Sequence, residues 1–245
     1  MTLTELLDEL RKNILRDSSS LVSGTTDELW SDESLVRYIN DAYFRFCRLT
    51  LSLTDRTSAL TEVVLESGVS VYPLDKAVLG VISARLAGAP TDLARTGHGV
   101  LDTPFRTDDS LFFDVNLLAS LPPGKPLAFA TDEEDASFRV YPEPSADYAD
   151  QTINLRLVRM PLEKLSLDRP DAEPEIREEW QLGTLDWAAH KALMNHDVDA
   201  ESLVRASAHK KAFEEWVSEA QREARRRRFA GTAWSFGRDG FAWTK

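Results

Sequence analysis

The sequence predicts an α+β protein: a helical bundle formed by N- and C-terminal helices, an inserted small antiparallel β domain of sandwich or barrel type, and an extended C-terminal arm. Three observations predict it. Apolar residues recur at helical spacing near both ends, from Leu3 to Ile14 and again from Ile176 onward. Between them the period shortens towards two, with β-branched residues and Pro/Gly breakers. Residues 229–245 follow neither period. Neither set of terminal helices can bury its apolar stripe alone, so one shared bundle is the simplest solution. The boundaries that follow are 1–55 and 166–228 for the bundle, 56–165 for the β domain and 229–245 for the arm.

Thr2-Leu3-Thr4-Glu5 has the form of a capping box, and Leu3, Leu6, Leu7, Leu10 and Ile14 follow it, so Thr2 to Arg16 reads as an amphipathic helix. A Ser/Gly/Thr-rich connection runs from Asp17 to Thr26. Ser31 is a good N-cap, with Asp32 and Glu33 suited to the positive end of the next helix. Its wide apolar stripe includes Leu35, Tyr38, Ile39, Ala42, Tyr43, Phe46 and Leu49. The single cysteine, Cys47, sits in that run and is expected as a small buried hydrophobe; one thiol makes no internal disulfide and no cysteine zinc site.

After Asp55, Glu62–Glu66 and Val69–Tyr72 flank Ser67-Gly68 and read as two strands of a hairpin. Val78–Leu86 is a further strand closed by Gly88-Ala89-Pro90. Asp92–Asp109 reads as loop, followed by a weak strand at Ser110–Val115 and a strong breaker at Pro122–Pro126. Leu127–Thr131 and Phe138–Tyr141 form a hairpin over Asp132–Asp135, and Ile153, Leu155, Leu157 and Arg159 lie at period two in a last strand. Six to eight short strands suit a small sandwich or barrel. Pro174-Glu175 opens a helix running to about Asn195, and Asp199 or Ala200 opens a final one running to about Phe229.

The formal net charge is −12, unevenly placed: residues 205–245 carry ten Lys/Arg against five Asp/Glu, so the preceding body is at −17. An acidic body disfavours wrapping on nucleic acid, whose phosphates are bound by displacing counterions with Lys/Arg. It would suit a surface past which DNA must slide, and it would equally serve solubility. No stretch approaches the roughly 18 apolar residues of a membrane span, and no basic-then-apolar leader is readable, so neither membrane insertion nor export is expected.

Residues for chemistry are scarce. His190, His196 and His209 form no His-x-x-x-His or Glu-x-x-His pair. His98 lies between Gly97 and Gly99 with no helix after it, which does not make a phosphate cradle. Glu133-Glu134-Asp135 at a hairpin tip reads as a solvated turn. No catalytic, cofactor or metal residue is assigned, and no enzyme is expected.

Binding residues are concentrated at the C-terminus. Arg222, Arg225, Arg226, Arg227 and Arg228 ring the end of the last helix, where cations also complement the helix dipole. They read as a solvated helix end, or as a contact for an anionic surface, either DNA phosphate or acidic residues of a neighbouring subunit. The arm beyond them holds Phe229, Trp234, Phe236, Phe241 and Trp243 with Arg238, spaced by glycines. Free in water it would expose large apolar groups, whereas Trp, Phe and Arg dominate protein–protein hot spots. A protein partner is therefore the expectation. Stacking on single-stranded nucleic acid is the alternative, and the body offers no basic groove for it.

Several segments carry a family resemblance. Trp30–Tyr43 (WSDESLVRYINDAY), Val69–Leu74 (VSVYPL), Phe138–Pro144 (FRVYPEP), Leu155–Leu162 (LRLVRMPL), Glu178–Leu193 (EEWQLGTLDWAAHKAL) and His209–Ala220 (HKKAFEEWVSEA) occur in this order. Together they resemble the head-to-tail adaptor (connector) proteins of tailed bacteriophages. The resemblance implies a virion protein assembled in the host cytoplasm, twelve copies forming a ring beneath the portal. It implies contact with a tail or nozzle protein, an open channel through which genomic DNA passes without specific binding, and a C-terminal extension docked on the portal. The reading set against it is a nucleic-acid-binding regulator that uses the Arg222–Arg228 helix end.

Overall fold

The first helix starts where the capping box requires. The Thr2 hydroxyl accepts from the Glu5 amide at 3.3 Å and the Glu5 carboxylate accepts from the Thr2 amide at 2.8 Å. In this computed structural model, which describes residues 1–17, 29–96, 121–131, 136–195 and 200–229 (without the side chains of 200, 201 and 227–229), α1 spans Leu3–Asp8. It runs on as a π-helical stretch, Glu9–Leu15, closed by Arg16 in the left-handed region at φ 59°. The expected α-helix to Arg16 is thus helical throughout but changes its winding. The wider i→i+5 turn accompanies burial of Leu10, Arg11 and Leu15 together, so a charged side chain enters a face that the apolar period reserved for leucines. The connection expected over residues 17–26 lies almost wholly outside the described residues.

The chain divides into two compact units, one of residues 1–53 and 161–245 and one of residues 54–160. In the first, α2 (Asp32–Thr50) is capped by the Ser31 hydroxyl and ends on Leu51, left-handed at φ 52°. Its buried face holds Leu35, Ile39, Ala42, Tyr43, Phe46 and Cys47. Leu49 departs from the expected stripe: its side chain is exposed, and its carbonyl receives the Gln221 amide at 2.8 Å. The third helix, α3 (Glu178–Asn195), begins later than Pro174-Glu175. The Glu175 amide donates to the Tyr43 hydroxyl at 2.7 Å and its carboxylate accepts from the Leu162 amide at 2.9 Å. These ties hold the segment outside the helix and leave Ile176 to turn inward. The last helix, α4 (Ala200–Phe229), starts and stops where the sequence places it. Phe46, Trp180, Trp187 and Phe213 meet at ring-centroid distances of 5.3 to 6.4 Å and join the three long helices in one core.

The second unit holds two four-stranded sheets among the described residues. In one, β8 (Thr152–Arg159) is central. Antiparallel to it, β1 (Thr54–Asp55) pairs with Leu157 and Val158 and β2 (Glu62–Val64) with Thr152, Ile153 and Asn154, while the long β4 (Val78–Leu86) pairs along most of β8. The other sheet runs β3 (Val71–Pro73), β7 (Ser137–Tyr141), β6 (Ala128–Ala130), β5 (Ala94–Arg95). Ile153, Leu155 and Leu157 point from β8 into a core that also takes Val81 and Leu86 from β4 and Phe138 and Val140 from β7. Asn154 and Arg156 between them face out, which is the alternation the sequence shows.

Two expectations are corrected here. The hairpin over Ser67-Gly68 does not form: the turn is present, with Gly68 at φ 75°, but β2 pairs with β8 and β3 with β7, in different sheets. The Tyr72 hydroxyl, bonded to the Glu66 amide at 3.0 Å and the Val69 carbonyl at 2.8 Å, holds this crossing together. Nor is all of the segment after Asp92 loop. The Ala94 and Thr96 amides donate to Leu127 and Phe129, making β5 a short parallel strand against β6. The hairpin of β6 and β7 forms as expected; its tip, like Ser110–Val115 and His98, lies outside the described residues.

Candidate partner interface

The C-terminal arginines owe their position to the packing of α4. Ala206, Phe213, Val217 and Ala220 form its buried seam. Near its end, Gln221 bonds the Leu49 carbonyl at the end of α2, and Glu223 pairs with Arg177, just before α3, at 2.8 Å. These contacts tie the helix down for most of its length. Arg222, Arg225 and Arg226 are exposed on its last turns. At about 100° per residue they share a face some 100° wide, turned away from the Phe213–Ala220 seam. The Arg222 Nε–H donates to the Ser218 carbonyl at 3.2 Å, which holds its stem along the helix. Arg227, Arg228 and Phe229 continue the helical backbone. Trp234, Phe236, Arg238, Phe241 and Trp243 lie outside the described residues.

A second cluster, which sequence reasoning passes over, lies on the α2–α3–α4 side of the same unit. The Arg45 guanidinium carbon stands 4.0 Å from the centroid of the Trp187 ring, and the Lys191 ammonium stands 5.7 Å from it. Trp187 donates its indole N–H to Asp41 at 2.7 Å. The His190 ring lies beside Trp187, tilted by 46° with centroids 5.1 Å apart, and meets the Ala206 carbonyl at 2.9 Å. Burial pushes the His190 imidazole below its usual range, and the positive charges of Lys210, Lys191 and Arg45 add to that, against the opposing hydrogen bond to Ala206. Nearby, His209 pairs with Asp186 at 2.8 Å. Arg45 and Trp187 are far apart in the chain, so no local motif could have announced them.

The chemistry of these groups is that of binding surfaces. Among the described residues no group of three His, Cys, Asp or Glu side chains could hold a metal ion, and no helix is long and apolar enough to cross a membrane. Cys47 is fully buried among apolar neighbours. The class that the fold defines is an α+β protein whose described surfaces present charged and aromatic side chains. The chain belongs to the SU10 adaptor protein family, whose profile matches residues 1–235. The kinship with phage head-to-tail adaptors expected from the sequence is thereby shown, and with it the role of a structural virion component; such adaptors are not a class of enzyme. No curated protein matches the chain.

Proposed function

We propose that this protein is the head-to-tail adaptor of its particle. Twelve copies form a ring beneath the portal, join it to a tail or nozzle protein and leave a channel for the genome. The bundle of residues 1–55 and 166–228 and the β domain of residues 56–165 form the body of each copy, and residues 229–245 dock on the portal. The observation that carries this reading is the family match over residues 1–235. The α4 end supports it: exposed arginines lead without interruption into an aromatic, glycine-spaced arm, a composition that suits a protein surface with acidic groups and apolar pockets. An acidic body suits a channel wall that must not hold DNA.

The test is to mix the chain with its portal and follow the complex by mass photometry and cryo-electron microscopy. Deletion of residues 229–245 is expected to abolish docking while far-UV circular dichroism shows the helices and sheets retained; docking that survives the truncation removes the arm's role. A parallel salt titration on duplex DNA is expected to show no specific binding. Tight binding with a steep salt slope would favour a nucleic-acid role for Arg222–Arg228 instead.

A further inference from the structure

The Arg45 guanidinium carbon lies over the Trp187 ring, 4.0 Å from its centroid; its Nε is buried, and that nitrogen has no hydrogen-bond partner among the described residues. Other inward-lying arginines end on oxygen: Arg11 on Asp17 and Asp32, Arg159 on Asp55, Arg205 on the Ile14 carbonyl. Arg45 makes no ion pair among the described residues, although the chain as a whole carries an excess of twelve negative charges. Lys191 and Lys210, with half-exposed side chains, lie with Arg45 about His190, and each reaches a carboxylate, Asp41 and Glu214, only at 4.0 Å. The carboxylate at hand, Asp41, is engaged with the Trp187 indole and, at 4.0 Å, with Lys191. This is a cation seated on an aromatic ring, with no carboxylate paired to it among the described residues. Such a group is preorganised to receive an anion, because little side-chain freedom remains to be lost on binding.

The matching charge lies on the opposite flank of the same helical unit. Lys210 and Glu219 are nine residues apart on α4, about 900° of rotation, which puts them on opposite sides of the helix. Glu219 is exposed and one turn before Glu223, whose partner Arg177 sits beside Glu178 and Glu179. The Glu178 side chain is 80% exposed. Next to it Leu182, itself exposed, and Met1 line a hollow of about 700 Å³. One flank thus offers Arg45 on an aromatic base with two half-exposed lysines beside it, the other the exposed carboxylates of Glu178 and Glu219 beside a hollow that Met1 and Leu182 share with Arg177 and Glu179. A surface complementary to a different surface of its own copy makes a heterologous contact, the kind that closes into a ring.

We propose that the Arg45–Trp187–Lys210 patch of one copy receives the Glu178–Glu219 flank of a second copy of this chain. The proposal rests on the ring reading above and names its joint.

Charge reversal of the full-length chain tests it. Arg45→Glu with Lys210→Glu makes both flanks acidic; Glu178→Lys with Glu219→Lys makes both basic. Each double variant is expected to lose self-association by about a hundredfold or more, since like charges brought together in a contact cost several kcal/mol. An equimolar mixture is expected to recover it, because alternating copies restore every opposite-charge joint. Lys210→Glu alone, at an exposed position, guards against a folding defect from Arg45 and is expected to weaken association in the same direction. Zero-length carbodiimide cross-linking of the wild-type chain at high concentration is expected to join Lys210 to Glu219 between copies. Association unchanged in the reversed variants, no recovery on mixing, or no such cross-link would each overturn the joint. Those outcomes leave portal docking by the arm untouched, whereas docking that survives arm deletion leaves this contact untouched, so the two failures are distinguishable.

Discussion

Gly183 of α3 lies against the indole of Trp216 on α4 so closely that a Cβ on the glycine would stand 2.6 Å from the Trp216 Cγ. The indole in turn meets Trp180 edge-on at 6.0 Å. A glycine inside a helix costs roughly 1 kcal/mol relative to alanine, so its presence here needs a reason, and the close approach supplies it. Gly183→Ala is expected to destabilise the helical unit by up to about 2 kcal/mol, the overpacking cost of about 1–3 kcal/mol less the propensity gain of roughly 1 kcal/mol. Chemical denaturation followed by tryptophan fluorescence checks this. Trp216→Leu in the same chain should remove most of the penalty, because the two positions share one space.

The Arg11 cluster is the next point of leverage. Arg11 bonds the Asp17 carboxylate and the Trp30 carbonyl at 3.0 Å each and also reaches Asp32, and the Asp17 side chain is only 3% exposed. Asp17 further accepts from the Leu29 and Trp30 amides, so one ion pair ties the end of the first helix to the start of the second. Arg11→Met leaves a buried carboxylate without its cation and is expected to cost about 3–5 kcal/mol, towards the lower end because the two amides remain. Hydrogen exchange should show faster amides at Leu29 and Trp30 and through the first turns of α2. Unchanged protection there would refute the linking role.

These two cases show what the sequence can and cannot disclose. The α2 boundaries are legible because Ser31, Asp32 and Glu33 encode a helix start locally, and β8 is legible because Ile153, Leu155 and Leu157 alternate with polar residues. Which strands pair is decided by partners far away in the chain. Two strands flanking Ser67-Gly68 look like a hairpin locally, yet each finds a better partner, β8 or β7, and the Tyr72 hydroxyl secures the crossing. The arginine run of α4 is conspicuous because four of its five members, Arg225 to Arg228, are consecutive. Arg45 is inconspicuous because its surroundings are assembled from three helices.

Asp55 predicts a pH dependence in the β unit. Burial alone would raise its pKa, but the Thr57 amide at 2.9 Å, the Arg159 guanidinium and the Ser58 amide at 3.1 Å favour the carboxylate more strongly. The net result is a carboxyl held well below the usual carboxylate range. A depressed acid stabilises the fold fully above its unfolded pKa of about 4 and loses that contribution as pH falls towards the folded value. The stability difference between the wild type and Asp55→Asn should therefore be level from pH 6 to 8 and shrink below about pH 4. Hydrogen exchange of the β8 amides as a function of pH reads it within this unit; a difference independent of pH would contradict the assignment.

His190 gives the opposite kind of dependence, at a different pH. Its imidazole is lowered first by burial and then by Lys210, Lys191 and Arg45, so the folded chain holds it neutral where an unfolded chain, with an ordinary value near 6.5, begins to bind a proton. A depressed base leaves stability unaffected above that value and lowers it as pH falls below it, because the unfolded state takes up the proton more readily. His190→Gln is expected to flatten this loss between about pH 6.5 and 5. The same imidazole also reports on the joint between copies. Carboxylates brought to Arg45 and Lys210 by a second copy would offset the cations that depress it, so its NMR titration midpoint should rise with protein concentration. In the Glu178→Lys, Glu219→Lys variant the midpoint should stay at its low, concentration-independent value. A wild-type midpoint equally insensitive to concentration, while the chain associates, would place the contact elsewhere.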